Sequence, residues 1–174
     1  MPIKHLSMPE LHQIYDQQLH DDFPDNERRS FQNMLDYHEK GLYEAWAKYE
    51  DGICLAYSCF LGNQDGLIMD YFAVNKAYRN RGIGSAFLKE CLAQYPDTLI
   101  LIESEKDDGL DPLKKRRLNF YLKNGLYHTG VNIWLYYVDY TILANQMATS
   151  QQISAIYQRL YDPKMLRKYL HLID

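Results

Sequence analysis

Two glycines, Gly82 and Gly84, follow two arginines, Arg79 and Arg81, at the mouth of an amphipathic segment. This combination can hold a phosphate. Glycine lets the backbone approach a ligand with no Cβ in the way. The first N–H groups of a helix lack intrahelical partners, and the helix dipole favours an anion in front of them. Arginine adds charge-assisted bonds to phosphate oxygens. The run Tyr71-Phe72-Ala73-Val74-Asn75-Lys76-Ala77-Tyr78 leads in as a strand and a turn, and the whole suits a pyrophosphate better than a carboxylate. Neither G-x-x-x-x-G-K-[ST] nor G-x-G-x-x-G occurs. The competing reading is a plain strand-to-helix connection with solvated arginines. The agreement of glycines, arginines, strand and helix favours the phosphate.

Two carboxylates are candidates for proton transfer. Asp70 interrupts an apolar strand, and Glu103 ends the next one. Charges in such places are seldom buried without a partner or a job. Either could accept a proton from an attacking group. Equally, Asp70 could serve as a structural pair and Glu103 could sit at a solvated strand end. Glu105 is expected to be exposed. Asp21, Asp22, Asp25 and Glu27 form an acidic turn, either a solvated face or a rim that draws in a cationic ligand. Lys114-Lys115-Arg116-Arg117 reads first as a solvated helix face. The six histidines have no metal-ligand spacing, so no metal is expected. Cys54, Cys59 and Cys91 read as core thiols.

These groups need a scaffold, and the hydrophobic periodicity supplies one. Residues 3–6 read as a short strand. Ser7-Met8-Pro9-Glu10 is a capping box that opens a helix carrying Leu11, Ile14, Tyr15 and Leu19. A second helix is expected over 27–40, with Gly41 as its C-terminal cap. Strands follow at 43–50 and 53–61 around the Asp51-Gly52 hairpin signal, then at 67–74. The glycine-led helix buries Ile83, Phe87, Leu88, Cys91 and Leu92. The apolar run 98–104 reads as a central strand. Asp111-Pro112 starts a helix that runs to Asn124, with Gly125 capping it. Residues 126–137 and 139–145 read as a strand pair. The tail from 149 reads as helical, with an apolar stripe of Ile153, Ile156, Tyr157 and Leu160. A restart at Asp162-Pro163 carries Met165, Leu166, Tyr169 and Leu170. The order is that of a single-domain mixed α/β sheet flanked by helices. Residues 1–145 form the domain. Residues 146–174 form a helical extension, packed on it or at a dimer interface.

Bulk properties exclude several classes. The chain has 174 residues, 47% hydrophobic and 24% charged, as one globular domain would have. A net charge of −4 argues against a dedicated nucleic-acid binder. No signal-peptide pattern and no membrane-length apolar run occur, so a cytoplasmic location is expected.

Arg79-Asn80-Arg81-Gly82-Ile83-Gly84 resembles the R/Q-x-x-G-x-G/A motif of the GCN5-related N-acetyltransferase (GNAT) superfamily. Asn119-Phe120-Tyr121-Leu122-Lys123-Asn124-Gly125-Leu126 is similar to its second signature, with Leu126 where the family usually has Phe. Lys114 stands where many members carry an Asn that contacts the pantetheine. The resemblance spans residues 3–145 and leaves the tail unexplained. It implies the acyl-CoA N-acyltransferase fold, with a mostly antiparallel sheet, and acetyl-CoA as co-substrate. Backbone groups of Phe72, Ala73 and Val74 would bond the pantetheine arm. Arg79, Asn80, Arg81, Gly82, Ile83, Gly84 and Ser85 would wrap the pyrophosphate, and Asn119 would also face the donor. Strands 67–74 and 98–104 would splay to admit the thioester. Tyr121 would protonate the leaving thiolate, with Asp70 or Glu103 as base. The implied reaction is direct acetyl transfer to a primary amine of a small molecule or peptide, possible as a homodimer and without nucleic acid or membrane. The alternatives are an acyl-CoA-binding regulatory module without catalysis, or an interaction protein built on the basic helix.

Overall fold

The computed structural model describes residues 2–173. Met1 and Asp174, the outer ends of the two spans expected from the sequence, lie outside the described residues. The chain falls into two compact units. One comprises Met1–Asn63 and Met69–Pro96, the other Gln64–Ile68 and Asp97–Asp174. The tail therefore belongs to the second unit.

The first unit is built on an antiparallel meander. Strand β1 (Lys4–His5) pairs with β2 (Tyr43–Glu50), and β2 pairs with β3 (Ile53–Asn63). Asp51 and Gly52 both take positive φ at the hairpin, the geometry that Asp-Gly turns provide. Next to β3 runs β4 (Gly66–Val74), whose residues from Met69 onward belong to this unit. Helix α1 (Met8–Ile14) starts on the expected capping box, with the Glu10 carboxylate accepting from the Ser7 N–H at 2.9 Å. A π-helical turn over Tyr15–Leu19 carries it into α2 (His20–Asp22). The next helix, α3 (Phe31–Glu39), begins later than the sequence suggests. Ser30 caps it by accepting from the Asn33 N–H at 3.2 Å, which leaves Arg28 and Arg29 outside the helix. Helix α4 (Ile83–Leu92) buries Phe87, Leu88 and Cys91. All three cysteines are buried and free.

The second unit starts with the first residues of β4, where the Leu67 N–H donates to the Leu99 carbonyl at 2.9 Å. The strands β5 (Ile100–Glu105), β7 (Val138–Ala144) and β6 (Tyr127–Leu135) lie side by side and antiparallel. Helix α5 (Pro112–Lys123) is capped by Asp111, as the Asp-Pro pair predicts. Helix α6 (Ser150–Leu160) buries its stripe of Ile153, Ile156, Tyr157 and Leu160. Helix α7 (Pro163–Tyr169) ends before Leu170, and Leu170–Ile173 becomes an edge strand, β8. It pairs with β6, matching Leu172 to Ile133. The apolar spacing after Asp162 predicts Leu170 within the helix, and the structure places it at the start of β8 instead. A short alternating segment becomes a strand only when a partner strand offers its free edge. The hydrogen-bonded order is β1-β2-β3-β4-β5-β7-β6-β8, a mostly antiparallel sheet in a mixed α/β fold.

Candidate active site

In the first unit, the end of β4 and the turn after it form a solvent-facing cradle. Asn75 turns the chain, its side chain accepting from the Ala77 N–H at 3.1 Å. A single 3-10 turn, Lys76–Tyr78, follows. Asn80 then takes φ 64° and Gly82 φ 77°, both in the left-handed region. Gly82 is the residue before α4, and no side chain caps that helix. The first N–H groups of α4 thus lack the usual Ser, Thr or Asp cap. A Cβ on Gly82 would meet nothing within 4 Å, so the space before the helix is open. Arg79, Asn80, Arg81, Gly82 and Ser85 are exposed, while Ile83 and Gly84 are half-buried. Arg81 lies over the Tyr78 ring, 5.2 Å from its centroid. Open N–H groups, a positive helix end and arginines at the rim fit a pyrophosphate. On β4 the side chains alternate: Tyr71 and Ala73 are buried, and Phe72 packs its ring 5.6 Å from Phe87 of α4.

Arg79 does not reach freely into solvent. Its Nε donates to the Val74 carbonyl at 3.0 Å. Its Nη2 stands 3.7 Å from Oδ1 of Asp22. The other Asp22 oxygen accepts from the Tyr57 hydroxyl at 3.0 Å. Burial raises the Asp22 carboxyl above its ordinary value, against the pull of Tyr57 and Arg79. The acidic turn is thereby divided. Asp22 is held inside, Asp25 pairs with Arg28, and Asp21 is exposed.

Asp70 is also in the first unit, and both its oxygens are engaged. Arg29 donates from Nε and from Nη2, each at 3.1 Å, and the Tyr43 hydroxyl donates at 2.7 Å. The two charged side chains are only 15% and 10% exposed. Burial, reinforced by the Asp70 charge, pushes the Tyr43 phenol well up.

The second unit carries Glu103, Tyr121 and Asn119. On β5, Glu103 stands opposite Ile142 of β7, on the face that α6 covers. There Oε1 of Glu103 accepts from the Tyr157 hydroxyl at 2.7 Å. Burial and the neighbouring carboxylate hold the Tyr157 phenol well above its ordinary value. Tyr121 is half-buried on α5, edge-on to Phe120 at 5.3 Å. Burial pushes its phenol up to about 12, with Arg117 pulling the other way. The hydroxyl stays protonated at neutral pH, the state a general acid needs. Asn119 is exposed on the same helix. Glu105 is not exposed as the sequence suggested: its side chain is 17% exposed and pairs with Arg117. Among the described residues, no group of three His, Cys, Asp or Glu could hold a metal ion. Among them also, no helix is long and apolar enough to cross a membrane.

Sequence reasoning missed the partners of these groups: Arg29 and Tyr43 for Asp70, Tyr57 and Arg79 for Asp22, Tyr157 for Glu103. Every partner lies far away in the chain, from the 27-residue gap between Tyr43 and Asp70 to the 54-residue gap between Tyr157 and Glu103 and beyond. No local pattern encodes such a bond.

The family model described as the acetyltransferase (GNAT) family matches residues 8–123. Among curated proteins, none matches the chain by sequence. Solved structures share the fold. A GNAT-family protein from Bacteroides thetaiotaomicron superposes with a TM-score of 0.74 at 18% identity, over 95% of this chain and 98% of that one. A ribosomal-protein alanine N-acetyltransferase from Escherichia coli gives 0.63 at 17%, over 85% and 96%. Arabidopsis thaliana Naa50, in complex with a CoA-containing bisubstrate analogue, gives 0.62 at 17%, over 84% and 100%.

Proposed function

The chain belongs to the acetyltransferase (GNAT) family, and from that premise we propose that it moves the acetyl group of acetyl-CoA to a primary amine of a small molecule or peptide, by direct attack in a ternary complex. The observation that carries the donor half is the uncapped start of α4 behind Gly82 at φ 77°. Its N–H groups and positive dipole end receive the pyrophosphate, and Arg79 and Arg81 neutralise it. The residues from Arg79 to Ser85 line this site, and the family's second signature assigns Asn119 to donor binding as well. Backbone groups of Phe72, Ala73 and Val74 take the pantetheine arm in the manner of a neighbouring strand.

The chemistry has two proton transfers. The amine nitrogen attacks the thioester carbonyl, its proton passes to a carboxylate, and the C–S bond breaks as the thiolate takes a proton. Tyr121 gives that last proton. Glu103 takes the first, its carboxylate oriented by Tyr157. Asp70 gives both oxygens to Arg29 and Tyr43 and so orders the chain ahead of α3, and its part is to position rather than to accept. The acceptor class stays at amines of small molecules or peptides. The Escherichia coli and Arabidopsis structures concern peptide or protein amines, which favours a peptide N-terminus among the panel to be tried first.

The test is calorimetry with CoA, together with thiol release from acetyl-CoA against polyamines, amino acids and short peptides. Binding and turnover on at least one amine are expected. Gly82→Glu should abolish CoA binding, because it sets bulk and negative charge against the pyrophosphate. Tyr121→Phe should lower kcat roughly a hundredfold or more with CoA affinity unchanged. CoA affinity without turnover on any amine would turn the reading into a binding module.

A further inference from the structure

We propose that Asp22 is a positioning residue that holds Arg79 away from the donor, so that CoA binds only by drawing Arg79 off an internal ion pair. The inference rests on the donor site described above and lies entirely in the first unit. Four contacts build the arrangement. The Tyr57 hydroxyl fixes one Asp22 oxygen at 3.0 Å. The other oxygen faces Nη2 of Arg79 at 3.7 Å. Nε of Arg79 sits on the Val74 carbonyl at 3.0 Å. Lys76 Nζ reaches the Asp21 carbonyl at 3.4 Å, tying the same two segments together a second time.

Two consequences follow. The carbonyl of Val74 ends β4, where a pantetheine arm lies along the strand, so the arm and the guanidinium meet at one acceptor. The guanidinium is also shared between a carboxylate inside and a phosphate outside. At 3.7 Å the Asp22 contact is an ion pair beyond direct hydrogen-bond reach, held by charge and readily exchanged. The Asp22 side chain is 10% exposed and that of Arg79 is 44% exposed, so the arginine is the member that moves. A pyrophosphate carries more charge than one carboxylate and accepts bidentate bonds from arginine. Asp22 keeps its Tyr57 bond after the exchange. Donor affinity is therefore lower than the cradle alone would give, by the strength of the pair that is broken.

Calorimetry with CoA on four proteins tests this: the wild type, Asp22→Asn, Arg79→Ala and the double variant. Asn keeps the acceptor for the Tyr57 hydroxyl and removes the charge. Asp22→Asn should bind CoA about fivefold more tightly, the ratio that a partly exposed ion pair supports. Its KM for acetyl-CoA should fall while kcat holds. In the Arg79→Ala background the same change should alter affinity by less than about twofold. Equal tightening in both backgrounds would reduce the effect to the general field of one negative charge and overturn the proposal. Unchanged or weaker binding by Asp22→Asn would overturn it too. Asp22→Ser takes the place of the Asn variant should that one not fold. A wild type with no CoA affinity would instead refute the donor site itself.

Discussion

Asp70 shows how far a residue's type falls short of its role. Its position in an apolar strand marks it as a charge with a purpose, and a base is one such purpose. The structure gives its two oxygens to Arg29 and Tyr43. Removing one member of a largely buried, hydrogen-bonded ion pair leaves the other uncompensated. Asp70→Ala should therefore lower stability by about 3 kcal/mol, read from urea unfolding. An unchanged unfolding midpoint alongside lost activity would return Asp70 to the chemistry. Glu103 differs in kind. Its Oε1 accepts from the Tyr157 phenol at 2.7 Å, which orients the carboxylate proposed as the base.

Gly66 is the point where one element decides another. Its φ is 140°, and a Cβ placed there would stand 2.6 Å from Cδ1 and Cγ1 of Ile156 on α6. Arg159 of the same helix donates to the carbonyls of Asp65 at 2.9 Å and Gly66 at 2.7 Å. Helix α6 thus packs directly on the start of β4, which answers for its apolar stripe within the second unit. Gly66→Ala should cost about 1–3 kcal/mol by overpacking, measured by thermal or denaturant unfolding. A neutral result would mean that the Ile156 side chain turns aside freely. The tail's helices were legible from their spacing and caps, because Thr149 and Asp162 are strong N-cap types. Strand β8 was not, since its pairing with β6 joins distant parts of the chain. The late start of α3 was missed for a related reason: Ser30 outcompetes an earlier start, and Arg29 is drawn off to Asp70.

The tyrosines set the behaviour of the protein in alkali. Burial raises the phenols of Tyr43, Tyr57, Tyr71, Tyr95, Tyr121 and Tyr157 in the folded state. A group whose folded value lies above its unfolded value binds its proton more tightly when folded. Its contribution is full below the unfolded value of about 10 and is lost as pH rises through the folded value. Stability should therefore hold through neutral pH and fall steeply above about pH 10, with the phenolate absorbance rising together with unfolding. Phenolate that appears while the fold persists would count against this. What the sequence determined by itself was the order of elements as far as the tail helices, the mixed sheet, the buried cysteines and the glycine turn that opens α4. Those follow from local physics: period, caps, turn residues and backbone freedom act within a few residues. What only the tertiary structure decided was which charged and polar groups meet. Asp22 on Arg79, Asp70 on Arg29 and Glu103 on Tyr157 are pairings across tens of residues. Their strength depends on distance and burial, and neither exists until the chain has folded.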